Sequence, residues 1–274
     1  MMEKASKLQT DMVILDCEDS VTEKDKLAAR DAASQALKMY DWGSKEVGIR
    51  INGLDTSLWL EDLESAARSS PSFILVPKIE DPSEVKKVDQ IIRRSAKDAK
   101  KLPRIMVAIE NAKGLLNIEN ILQASELITA IEFGAEDYSL SLGILSIERS
   151  EESSLYARSR VVAVSRALSI DALDQAYVNL TDQDGLRKSA EEAKNLGFAG
   201  KSVIHPSQIE IVNEVFSPSQ ADISWARKVL EAWKIAEKEG KGAFRFEDKM
   251  VDIVHVKMAQ KILSFAKEAG LSDT

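Results

Sequence analysis

The sequence predicts an α/β protein, a (β/α)8 TIM barrel with its first strand absent and a C-terminal helical lid, and three observations predict it. Short apolar runs rich in β-branched residues recur at residues 12–17, 46–51, 73–79, 104–110, 130–133, 176–180 and 198–204. Helical periodicity fills the gaps, as in Leu115, Leu116, Ile118, Ile121 and Leu122, or Leu186, Ala190, Ala193 and Leu196. The runs are continuously apolar, which a strand covered on both faces inside a ring of helices requires. Strands alternating with helices make a parallel sheet. A closed barrel needs eight strands, and the opening segment, residues 1–8, reads as the tail of a helix that would follow a first strand.

Each element follows from its residues. The first run ends in Asp16-Cys17-Glu18-Asp19-Ser20, where Asp19, Ser20 or Thr22 can cap the helix that follows. The second carries Arg50 near its end, the fourth ends in Glu110, and the fifth leads through Phe133-Gly134-Ala135-Glu136 to Asp137. Beyond the last strand, residues 221–239 form a long helix bearing Trp225, Val229, Leu230 and Trp233. Gly240-Lys241-Gly242-Ala243-Phe244 is a glycine-hinged loop, and a final helix covers residues 252–269. A hinge between helices can carry a lid. Residues 1–220 are the expected catalytic barrel and residues 221–274 the helical extension and lid. No repeat or low-complexity tract interrupts the chain.

The chain of 274 residues carries a formal net charge of −8, which argues against a nucleic-acid or anionic-membrane partner. No apolar stretch approaches the roughly 18 to 20 residues of a membrane helix. The single cysteine, Cys17, excludes an internal disulfide and a thiolate zinc cluster; it reads as a small core residue in a reducing compartment. The first eight residues show neither a signal core nor an Arg-rich presequence.

Glu110 and Asp137 are 27 residues apart, one strand-helix unit. In a parallel sheet with strands about 4.8 Å apart, acids at the ends of successive strands face one pocket. Two carboxylates with waters and a chelating substrate suit Mg2+ or Mn2+; alternatively, each acid caps the helix after its strand. Arg50, a cation inside an apolar run, needs an anionic partner. It holds a substrate carboxylate or enolate oxygen, pairs with Glu18 or Asp19, or does both at once. The two histidines, His205 and His255, have no zinc-site spacing, and His205 before Pro206 fixes a turn. Asp252 is an N-cap or, on a mobile lid, a general acid or base. Phosphate-loop, nucleophile-elbow and dinucleotide motifs are absent from the sequence, which removes support for kinase, hydrolase and dehydrogenase readings.

Read in order, Val13-Ile14-Leu15-Asp16-Cys17-Glu18-Asp19-Ser20-Val21, Ile49-Arg50-Ile51-Asn52, Leu75-Val76-Pro77-Lys78-Ile79-Glu80, Ile109-Glu110-Asn111-Ala112-Lys113-Gly114, Phe133-Gly134-Ala135-Glu136-Asp137 and Gly200-Lys201-Ser202-Val203-Ile204-His205-Pro206 resemble the citrate lyase beta-subunit-like family, the HpcH/HpaI aldolase and malyl-CoA lyase superfamily. The resemblance spans nearly the whole chain. It implies a (β/α)8 barrel with Glu110 and Asp137 as Mg2+ ligands, Arg50 on the acyl group and Asp252 as the lid aspartate reaching a neighbouring subunit of a homotrimer. It further implies that Lys4 contacts CoA and that Ser202 and Val203 line the substrate. The implied reaction is Mg2+-dependent cleavage of an acyl-CoA such as citramalyl-CoA to pyruvate and acetyl-CoA, with possible reverse, malate-synthase-like condensation. Animal members imply the mitochondrial matrix; without an import segment, the alternative is the cytoplasm. Relatives begin with a strand ending in Val-Pro-Gly and usually carry a proline after the lid aspartate; this chain has neither. A truncated, catalytically impaired form, or an aldolase acting on free 2-keto acids, is the alternative expectation.

Overall fold

The computed structural model describes residues 2–97, 99–145 and 151–271 and comprises two compact units, Met1–Val212 and Asn213–Thr274. In the first unit the chain runs α1 (Met2–Ser6), β1 (Met12–Asp16), α2 (Lys26–Met39), β2 (Glu46–Arg50), α3 (Trp59–Ser69), β3 (Phe73–Val76), α4 (Pro82–Ser95), β4 (Arg104–Ile109) and α5 (Ala112–Leu122). It continues through β5 (Ile128–Phe133), α6 (Ala135–Ser141), α7 (Leu155–Ala167), β6 (Asp171–Asp174), α8 (Gln183–Leu196), β7 (Gly200–Lys201) and α9 (Ile209–Phe216). The strands form one curled parallel sheet in the order β1 to β7. Among the described residues no strand pairs with the outer edge of β1 or β7.

Side chains alternate across this sheet. On one face Phe73, Leu75, Met106 and Ala108 make a buried cluster with Met12, Ile14, Ala130 and Leu173. This is the concave face of a barrel-type sheet. Gly48 leaves room there for the Phe73 ring, which a β-carbon would strike. The opposite face, including Ile49, Ile74, Val76, Val107, Ile109 and Ile131, is also buried, so both faces are covered, as the continuously apolar runs require. Helix starts are fixed locally: Asp81 and Glu84 form a capping box on α4 with Pro82 in its first turn, and Asn111 caps α5 through the Gly114 N–H.

In this unit three expectations are corrected. The sixth strand is β6, not residues 176–180; Val178 and Leu180 are exposed beyond it. Its sequence, Asp-Ala-Leu-Asp, is masked by two acids, of which Asp174 is fully buried between Arg158 and Lys201. The third and seventh strands stop early, at Val76 and Lys201 rather than at residues 79 and 204. Finally, Asp137 does not end a strand; β5 ends at Phe133, and Asp137 lies in the first turn of α6.

In the second unit, α10 (Gln220–Lys238) is followed by an antiparallel hairpin, β8 (Ala243–Phe246) and β9 (Lys249–Asp252), and by α11 (Ile253–Glu268). The expected glycine-hinged loop is therefore largely a hairpin. Its core is Ala226, Val229, Val251, Val256 and Ala259, with Trp225, Leu230, Trp233, Phe244 and Phe246 packed against it. Among the described residues no helix is long and apolar enough to cross a membrane.

Candidate active site

The same alternation that lines the sheet with apolar residues places charged ones above them. On β1 the face carrying Met12 and Ile14 continues to Asp16; on β2 Gly48 is followed by Arg50; beyond β4 Ala108 is followed by Glu110; on β5 Ala130 is followed by Glu132. A polar layer thus forms at the C-terminal ends of the strands, where barrel-type sheets carry their chemistry.

Asp16 and Arg50 are register partners at the ends of β1 and β2. The guanidinium donates twice to the carboxylate, Nε to Oδ1 and Nη2 to Oδ2, both at 2.7 Å. Burial opposes ionisation of Asp16, yet the bonds and charge of Arg50 win and hold its carboxyl at about 2. Glu18 Oε2 lies 3.4 Å from Arg50 Nη1 and Asp19 Oδ2 lies 4.0 Å away. The anionic partner predicted for Arg50 therefore exists, but the principal one is Asp16. Both residues terminate their strands, and knowing the strand pairing was the missing signal.

Lys78, just past β3, was not singled out from the sequence. Its Nζ donates to Glu18 Oε1 at 2.9 Å and its backbone N–H donates to Glu110 Oε2 at 2.9 Å. Burial and the nearby charge of Glu18 push the Glu110 carboxyl up to about 7, against the Lys78 N–H, with Asp137 and Glu132 adding to the rise. Gly134 makes this placement possible: a β-carbon there would stand 2.6 Å from Glu110 Cγ and 2.7 Å from Oε1. Glu132 accepts a short hydrogen bond from the Ser202 hydroxyl, and burial raises its carboxyl above the ordinary range. Strand pairing alone would have predicted neither contact.

Glu110 and Asp137 are close enough for the Asp137 charge to bear on both Glu110 and Lys78. Among the described residues, neither Glu110 Oε1 nor the Asp137 carboxylate accepts a hydrogen bond from the protein. Two oxygen donors without a protein donor, one of them buried and resisting ionisation, fit a hard divalent cation that fills its remaining positions with water or substrate. No group of three or more His, Cys, Asp or Glu assembles for a metal among the described residues, so the fit is to a cation held by few protein ligands.

Lys4 is exposed on α1. Val203 is half-buried after β7, next to Ser202. In the second unit Asp252 caps α11, accepting from the Val254 N–H at 3.0 Å and pairing with His255 Nδ1 at 2.8 Å, and the His255 bond lowers its carboxyl. His205 caps the turn Pro206–Gln208, as expected. Cys17 is buried, and burial pushes its thiol up to about 12.

Comparison with known proteins gives this geometry a context. The chain is 36% identical over 275 residues to a mitochondrial citramalyl-CoA lyase of Rattus norvegicus, covering 96% of this chain and 81% of that protein. It is 32% identical to the citrate lyase subunit beta of Leuconostoc mesenteroides subsp. cremoris, covering 100% of this chain and 91% of that one. A crystal structure of protein CitE from Mycobacterium tuberculosis in complex with magnesium, acetoacetate and coenzyme A superposes with a TM-score of 0.79 at 30% identity, over 96% of this chain and 91% of that chain. The model of the HpcH/HpaI aldolase/citrate lyase family matches residues 1–206, the span that carries Asp16, Arg50, Glu110 and Asp137. By fold, by sequence and by this family match, the chain belongs to the HpcH/HpaI aldolase/citrate lyase family.

Proposed function

We propose that this chain is a Mg2+-dependent carbon-carbon lyase of CoA esters, cleaving a 3-hydroxy-3-carboxyacyl-CoA such as citramalyl-CoA, or a malyl-CoA-like thioester, to pyruvate or its analogue and acetyl-CoA. The observation that carries this reading is the Glu110–Asp137 pair: two neighbouring carboxylates with oxygens left open by the protein, in the same polar layer at the strand ends as the Arg50 guanidinium fixed by Asp16. The citramalyl-CoA lyase relative acts on a CoA ester by its name, and the CitE neighbour holds magnesium and coenzyme A.

Glu110 and Asp137 hold the cation. Once bound, Mg2+ supplies Lewis acidity to the substrate hydroxyl and its adjacent carboxylate. Cleavage transfers the electrons of the broken carbon-carbon bond to the thioester as an enolate while the hydroxyl proton passes, directly or through water, to the ionised Asp252 carboxylate. Arg50, locked in place by Asp16, offsets the negative charge. Asp252, held ionised by His255, works as the proton carrier: it removes the α-proton in the condensation direction and returns it to carbon after cleavage. We assign it to the site of a neighbouring subunit in a homotrimer. Ser202, anchored on Glu132, and Val203 line the acyl group, and Lys4 meets the anionic CoA moiety. The mitochondrial names of animal relatives support a mitochondrial location.

The test is turnover of citramalyl-CoA by the purified chain, with and without EDTA. Glu110→Gln with Asp137→Asn is expected to abolish Mg2+-dependent release of acetyl-CoA while circular dichroism stays unchanged. Retained, EDTA-sensitive turnover in the double variant overturns the assignment. Asp252→Asn is expected to lose at least about a hundredfold in kcat, the scale of a lost general acid or base, with Mg2+ binding intact.

A further inference from the structure

We propose that Lys78 is a positioning residue for Glu110, and that its ammonium holds the backbone turn that orients the carboxylate. The inference rests on the reading of Glu110 as a cation ligand.

Lys78 has φ +54°, in the left-handed region, although it carries a side chain. L-residues other than glycine, asparagine and aspartate seldom adopt that conformation, because the β-carbon crowds the following carbonyl. The turn comes two residues after β3 ends at Val76. Immediately after it, the Ile79 N–H bonds the Ala108 carbonyl at 3.3 Å. The reversal at one residue turns a single backbone N–H out of the sheet and onto Glu110 Oε2 at 2.9 Å.

That unfavourable turn needs something to hold it, and the side chain provides it. Lys78 Nζ is 2.9 Å from Glu18 Oε1 and 3.7 Å from Asp19 Oδ1, which ties the segment after β3 to the segment after β1. Glu18 is buried, so its carboxylate is a fixed anchor rather than a mobile surface partner. With Oε2 occupied by the N–H, Oε1 is the oxygen left on the Gly134 side, where the absent β-carbon leaves space. Strained backbone of this kind concentrates at sites where geometry must be exact to a few tenths of an ångström.

The positioning role and a simple charge effect predict opposite signs. A bystander ammonium close to Glu110 and Asp137 repels a cation, so removing it would tighten binding. A positioning ammonium does the reverse, since its loss lets the turn relax and Oε2 swing free. The experiment measures Mn2+ binding to the full-length chain by the loss of the free-ion signal in electron paramagnetic resonance, for wild type, Lys78→Gln, Lys78→Arg and Glu110→Gln. Lys78→Gln is expected to weaken Mn2+ binding about tenfold or more, the usual scale for a residue that orients a metal ligand. Lys78→Arg, which can still pair with Glu18, is expected to recover most of the loss. Lys78→Gln binding Mn2+ as tightly as, or more tightly than, wild type overturns the proposal. If Lys78→Gln does not fold, Lys78→Gly takes its place: glycine tolerates the turn, its affinity is expected to fall by a smaller factor, and an undiminished affinity overturns the proposal equally. Wild type and Glu110→Gln binding Mn2+ equally would overturn the cation reading itself, and this inference with it, a result distinct from failure at Lys78 alone.

Discussion

A methyl group at position 134 would stand 2.6 Å from Glu110 Cγ and 2.7 Å from Oε1, well inside contact distance, so this glycine shapes the carboxylate opposite it. Gly134→Ala is therefore expected to displace Glu110 and to weaken Mn2+ binding about tenfold with little change in circular dichroism; unchanged Mn2+ affinity would show that Glu110 can give way without cost. Asp16 makes a separate, pH-readable claim. Its carboxyl sits at about 2 in the folded chain against an ordinary 3.8. A lowered carboxyl stabilises the fold above the ordinary value, and that contribution is lost as pH falls through the folded one. The difference corresponds to about 2 kcal/mol. Urea melts from pH 5 down to pH 2 should show a shallower fall in stability for Asp16→Asn than for wild type, with the two curves converging at the acid end. At this scale the sequence was partly readable. Glu110, Asp137 and Arg50 announce themselves as charges among apolar runs. Lys78 and Gly134 do not, because their contributions are a backbone N–H and an absent β-carbon, and neither has a residue signature until the strands are placed side by side.

Among the elements, those readable from sequence are the ones whose physical cause is apolar burial. Strands β1 to β5 follow from it because each is a continuous apolar run, and β3 and β4 are buried on both faces along nearly their whole length. Strand β6 was missed because Asp174 is buried as an ion, donated to by Arg158 Nε at 3.0 Å and Lys201 Nζ at 2.7 Å. Periodicity cannot distinguish a buried paired acid from a solvated one. Removing that acid takes away the carboxylate that Lys201 and the Arg158 fork share in the buried interior, so Asp174→Ala is expected to cost about 3 to 5 kcal/mol in urea unfolding; a loss below about 1 kcal/mol would show that water reaches the cluster. The β8–β9 hairpin was missed for a different reason. Its two-residue loop, Glu247 and Asp248, takes φ values of +43° and +60°. Such loops usually announce themselves through Asn-Gly or Asp-Gly, because both central residues need positive φ. Here the side chains accept the strain. Asp248→Gly is accordingly expected to stabilise the second unit by about 1 kcal/mol, since the Arg245–Asp248 pair it removes is exposed and contributes little. Thermal melts compare the two chains, and a destabilised variant would mean that this ion pair outweighs the strain.

For the molecule as a whole, the question is where cation binding is felt and at what pH. Glu110 is held at about 7 in the fold against an ordinary 4.5. Ionising it in the metal-free folded chain therefore costs stability; that cost is absent below about 4.5 and complete above about 7, the opposite sign to Asp16. A divalent cation binds the ionised form and removes the cost, so its affinity rises with pH across this window. At a hundred times its Kd, Mg2+ stabilises the native state by about 2.7 kcal/mol, which at roughly 2 to 4 °C per kcal/mol is a shift of about 5 to 10 °C. The shift is expected to be larger at pH 8 than at pH 6 and to vanish in Glu110→Gln. Glu110 and Asp137 both belong to the unit Met1–Val212, so Mg2+ should slow hydrogen exchange in peptides covering β3, β4 and β5. Peptides from α10 and α11 should exchange at their metal-free rates when no substrate is present. Protection confined to the second unit, or equal at pH 6 and pH 8, would place the cation elsewhere than on this pair of carboxylates.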